Sequence, residues 1–181
     1  TYLNDMHESI EHFFDIAPYT SYRDYFDVHT AVALSKVSGI GTLNTLRNVK
    51  FGTTIGDFVN RRITGNSVDV LKYAIETVDG ISPENIDRLT AIVIPNTDIY
   101  DGVTEMWENG TAVAYCPKST EEYPYDARGL IQHEAGGHAY DKIEDEYIYH
   151  TAIIQTCPCF CCEHVEGITE AKNNGWYRNL S

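Results

Sequence analysis

The stretch "GLIQHEAGGHAYDKIEDEY", residues 129–147, decides how this chain reads, because it sets His133, Glu134 and His138 within one segment of helical apolar spacing. In the H-E-x-x-H pattern, two histidines four apart project from one helix face toward a single metal ion. Here they are five apart. At about 100° per residue, positions four apart differ by roughly 40° around a helix and positions five apart by roughly 140°. On a regular α-helix, imidazoles so divergent do not share an ion. A π-bulge absorbs one extra residue in a wider turn and returns side chains five apart to the same side, and such bulges recur at functional sites. Between the histidines lie Ala135, Gly136 and Gly137. A glycine inside a helix costs about 0.8–1.0 kcal/mol relative to alanine. Two of them are expected where the backbone must deform or a neighbour approaches closely.

With both imidazoles on one side, the segment has the parts of a zinc site. Zn2+ makes water acidic near pH 7, and Glu134, next to His133, can take the proton as general base and pass it to a leaving amine. Hydrolysis of a peptide bond is the reaction these parts suit. A third ligand is required, and Asp141, Glu144, Asp145 and Glu146 follow His138, with His150 and His164 further on. A carboxylate is an acceptable zinc ligand at about 2.0–2.2 Å. A regular helix makes a different prediction. Glu134, His138, Asp141 and Asp145 then form one solvated polar stripe with His133 elsewhere. That stripe carries no catalysis, although it could hold a cation with Glu134 as a ligand.

Working outward, 181 residues suffice for one domain with a real core. Hydrophobic residues at 43% and charged residues at 22% exclude wholesale disorder and a coiled coil. The sequence contains no apolar run near the ~18 residues of a membrane-spanning helix, and no transmembrane segment is expected. No signal peptide is visible at "TYLNDMHESIEHFF". A formal charge of -14, with Arg61-Arg62 the one adjacent basic pair, repels phosphate backbones and argues against nucleic acid as a partner. Cys116 stands alone, while Cys157, Cys159, Cys161 and Cys162 crowd into "CPCFCCEH". Their spacing departs from the paired C-x-x-C of zinc modules, so disulfides with a leftover thiol are favoured over a second zinc site with His164.

Along the chain, residues 1–17 carry Leu3, Met6, Ile10, Phe13, Phe14 and Ala17 at helical spacing, an amphipathic helix closed by Pro18. "SYRDYFDVHTAVALS" predicts a strand over about residues 25–34, and a short strand is expected near residues 49–54. "SVDVLKYAIETV" reads as a helix with Ser67 as N-cap. "DRLTAIVIPN" reads as a strand buried on both faces, "DIYDGVTEMWENG" as a loop, and "TAVAYCP" as a further strand. A helix over about 128–140 then carries the motif. The expected class is α/β or α+β, a mixed twisted sheet with the active-site helix on one face.

The segment "RGLIQHEAGGHAYDKIEDEYIYH" resembles the active-site region of the IgA peptidase family of metallopeptidases, especially members from gut Bacteroidetes with H-E-A-G-G-H followed by a D-E-Y triplet. "YLNDMHESIEHFF", "YTSYRDYFDVHTAV", "KFGTT", "IVIPN", "CPKSTEEYPYD" and "NNGWYRNLS" resemble family segments as well. The resemblance implies a secreted or surface-exposed (extracellular, periplasmic or cell-surface) bacterial zinc endopeptidase with a metzincin-like fold, acting on protein or peptide substrates. It implies His133 and His138 as zinc ligands, Glu134 as catalytic base, and Asp145 as third ligand with Glu146 adjacent. It also makes "GTAVAYCP" the edge strand that pairs with extended substrate. Two departures stand out. Asp141 replaces the glycine at which the family's helix ends, and aspartate tolerates the left-handed conformation expected there. Both methionines, Met6 and Met106, precede the motif, so no methionine turn follows it. Residues 1–181 are therefore expected to be a single catalytic domain lacking its C-terminal portion. The competing class is a non-catalytic secreted or surface module that keeps the peptidase fold and binds protein or glycan.

Overall fold

A computed structural model describes residues 2–56 and 62–142. Asp145, its neighbours Glu144 and Glu146, Tyr147, His150, His164 and the four clustered cysteines lie outside the described residues.

Helix α1 (Tyr2–Phe14) buries Met6, Phe13 and Phe14, the predicted apolar face. Four residues after it comes Pro18, followed by the single turn α2 (Tyr19–Tyr22). Residues 26–35 form no strand, contrary to expectation, and Val28, Val32 and Leu34 are exposed there. Alternating β-branched residues suit a pleated surface, but a ladder also needs a partner, and no described strand pairs with this segment. A small sheet follows, with β1 (Gly41–Thr42) parallel to β2 (Thr54–Ile55) and β2 antiparallel to β3 (Ile63–Thr64).

Helix α3 (Ser67–Thr77) is capped one residue earlier than its sequence suggests. Asn66 accepts from the Asp69 backbone N–H at 3.1 Å and donates to the Asp69 carboxylate at 2.7 Å. That reciprocal pairing satisfies an orphan amide and leaves the buried Ser67 hydroxyl for the Tyr115 hydroxyl, 2.9 Å away.

The second sheet comprises β4 (Thr90–Val93), β5 (Val103–Met106) and β6 (Ala112–Tyr115), in the order β4-β6-β5. β4 runs parallel to β6 and β5 antiparallel, with Thr104 opposite Ala114. Two expectations are corrected here. "GTAVAYCP" is not an edge strand: β6 is the centre of this sheet, every residue of it buried. The edge beside it is β5, inside the stretch expected to be a loop. β4, expected to be buried on both faces, is half-buried throughout.

Successive residues of a strand point to opposite faces, so β6 separates two cores. Ala114 and Cys116 join Phe13, Phe14, Tyr19, Leu130, Ile131 and Ala135 on one side. Val113 and Tyr115 join Ile40, Ile55, Ile63 and Val70 on the other. Each fully buried large apolar side chain contributes about 1.5–3 kcal/mol. The first core is the floor on which the motif helix rests.

That helix starts as α4 (Ala127–Ile131). Asp126 caps it, its carboxylate accepting from the Gly129 N–H at 2.8 Å. It continues without a break as a π-helix over Gln132–Tyr140. At its end Asp141 keeps ordinary right-handed geometry (φ -77°), and Lys142 takes the left-handed conformation (φ 56°). The reversal therefore falls one residue beyond the position expected for it. The Lys142 ammonium donates to the carbonyls of Ala139 and Gly110, a cation at the negative end of the helix. Among the described residues no helix is long and apolar enough to cross a membrane.

Candidate metal centre

The widened turn expected from the histidine spacing is present, and it spans nine residues rather than one bulge. Its i+5 bonding runs from the Asp141 N–H to the Gly136 carbonyl at 3.0 Å. In that register His133 and His138 share a side, their Nε2 atoms 3.2 Å apart, with ring centroids separated by 4.8 Å and planes at 87°. Two imidazole nitrogens bound to one tetrahedral zinc at about 2.0–2.1 Å stand roughly 3.3 Å apart. The observed separation fits. It also fits one N–H···N hydrogen bond between the two rings, with the donor set by the tautomer. His133 is exposed and His138 half-buried, so the pair is reachable from solvent. Among the described residues no third His, Cys, Asp or Glu joins them in a ligand group.

Glu134 is 5% exposed, which rules out the solvated stripe of a regular helix. Burying a carboxylate is costly unless it is hydrogen-bonded. The Thr104 hydroxyl on β5 lies 2.7 Å from Glu134 Oε2 and 2.9 Å from the Glu134 carbonyl, and its single proton serves one acceptor at a time. Just before β5, a side chain at Gly102 would put its Cβ 2.5 Å from Glu134 Oε1. The absence of that Cβ lets the carboxyl group lie against the strand entry. Cys116 is buried beneath the helix as a free thiol. Burial pushes that thiol's pKa up, the nearby Glu134 charge adds to the effect, and the sulfur stays protonated and inert.

Gly136 is also a point of close approach. A Cβ there would stand 3.0 Å from the Tyr19 ring, whose hydroxyl donates to the Gly136 carbonyl at 2.7 Å. Tyr140 packs edge-on against Phe26 at 5.0 Å and beside Phe13 at 5.4 Å. Thr104, Gly102 and Tyr19 escape sequence reasoning. The one available signal was the short alternation G-V-T-E-M, which is strand-like but embedded in turn residues.

No family model matches the chain, and no curated protein matches it significantly.

Proposed function

We propose that this chain is a zinc-dependent endopeptidase of the IgA peptidase type, with a metzincin-like catalytic domain working outside the cytoplasm. The carrying observation is the pair of imidazole nitrogens 3.2 Å apart on a π-helix that also buries Glu134. His133 and His138 hold the ion, and the resemblance supplies Asp145 as third ligand. Zn2+ held there supplies a Lewis acid that polarises a carbonyl and makes water acidic near neutral pH. Glu134 takes the proton of the attacking water and returns it to the leaving amine, so that one C–N bond is exchanged for a C–O bond. Thr104 limits the carboxylate to one orientation. Among the described strands, β5 has a free side in its sheet and lies against the π-helix, and it replaces β6 as the strand to which extended substrate adds.

The test joins metal content to hydrolysis. Purified chain is expected to carry about one zinc and to cleave an unfolded protein. Glu134→Gln should keep the zinc and lose about 10²–10⁴-fold in kcat, the usual contribution of general acid–base catalysis. His138→Ala should lose both. Zinc without cleavage of any unfolded substrate would transfer the site to a non-catalytic binding module, and a wild-type chain indifferent to zinc ends the metal reading.

A further inference from the structure

The Gly136 carbonyl lies midway along the turn that joins the two histidines, and it has two donors. One is the Asp141 N–H at 3.0 Å, the i+5 bond of the π register. The other is the Tyr19 hydroxyl at 2.7 Å, from a residue 117 positions earlier in the chain. Tyr19 is 6% exposed, and its ring is held by Phe13 at 4.5 Å, Tyr140 at 6.0 Å and Phe26 at 6.2 Å. Burial, with the Asp141 carboxylate second, pushes the phenol pKa up, so the hydroxyl remains a donor throughout the working pH range.

We propose that Tyr19 is the positioning residue of the histidine pair: its hydroxyl holds the Gly136 carbonyl in the π register and thereby sets the separation of the His133 and His138 nitrogens. The reason is a competition between two helical registers. In the α register the Gly136 carbonyl would bond the amide of Tyr140, and five-apart histidines would diverge by roughly 140°. Shifting to that register takes the carbonyl away from a buried phenol, which keeps only the Asp141 carboxylate beside it, and so gives up one buried hydrogen bond. Gly136 belongs to the same device, since a larger residue would push the ring off its acceptor. The histidine spacing is therefore selected by a contact from the other end of the chain.

This inference rests on the zinc reading for one of its two readouts. Zn2+ affinity is measured on the full chain by competition with a chromophoric chelator, and exchange of the Asp141 amide is measured on metal-free protein, for wild type, Tyr19→Phe and Tyr140→Phe. Tyr19→Phe should weaken Zn2+ binding about tenfold, the usual worth of one buried hydrogen bond. It should also speed Asp141 exchange by a similar factor, while amides in α1 exchange as before. Tyr140→Phe removes from the same aromatic cluster a hydroxyl that bonds Thr90 and not the Gly136 carbonyl, and should leave both readouts within about twofold of wild type, which separates a positioning effect from general loosening. Should Tyr19→Phe not fold, Gly136→Ala delivers the same displacement and the same expected losses. Wild-type affinity together with wild-type exchange in Tyr19→Phe overturns the proposal. A wild-type chain that binds no Zn2+ sinks the zinc reading, and the exchange arm then decides the role of Tyr19 by itself.

Discussion

At the scale of single residues, the site depends on how Glu134 is held. Its carboxylate is buried and meets the Thr104 hydroxyl at 2.7 Å, and a hydrogen bond to a charged group contributes about 1.5–3 kcal/mol. Thr104→Val keeps the shape and removes the proton. Steady-state kinetics should show kcat falling about 10–100-fold with KM and bound zinc unchanged, and Thr104→Ser should recover most of the loss. Equal damage from both variants would mean that packing of the methyl group, not the hydroxyl, matters. Glu134 and the histidines were legible because their chemistry is carried by residue type and spacing. Thr104 and Gly102 were not, because nothing in "DIYDGVTEMWENG" announces that its fifth to ninth residues lie against a helix about thirty positions later.

At the scale of elements, the motif helix owes its start to Asp126 and its width to contacts elsewhere. Asp126→Ala removes the acceptor of the Gly129 amide and should cost about 1 kcal/mol. Thermal unfolding should then fall by about 2–4 °C, with Zn2+ affinity intact, because the cap lies upstream of the π turn. A loss of metal binding in this variant would show that the helix start and the widened turn are coupled. The helix bounds could be read from apolar spacing to within a residue or two. The end of the turn could not. Asp141 was expected to take the left-handed conformation, yet Lys142 takes it, since the lysine ammonium reaches the Ala139 and Gly110 carbonyls and secures the reversal there.

At the scale of the whole molecule, β6 ties the two cores together. Ala112, Val113, Ala114 and Tyr115 are fully buried, so a change of volume there is felt on both sides of the sheet. Ala114 packs in the same core as Leu130, Ile131 and Ala135 of the motif helix. Ala114→Val should cost about 1–3 kcal/mol by overpacking, lowering the urea midpoint without altering the slope of the transition. An unchanged midpoint would mean that the helix can ride outward, and the histidine separation should then be re-measured. The formal charge of -14 acts at longer range. For a cationic peptide substrate kcat/KM should fall as salt is raised through the range in which a Debye length of about 10 Å shrinks, while a neutral peptide should respond little.

The sequence by itself determined the amphipathic helices, the strand character of β4 and β6 and the need for a widened turn, because each is a local pattern written into consecutive residues. Which strand lies at the edge, which hydroxyl meets Glu134 and what holds the π register were decided only by the tertiary structure. The last two are contacts across 30 and 117 positions, and a chain's local pattern states that a surface must be covered without stating what covers it.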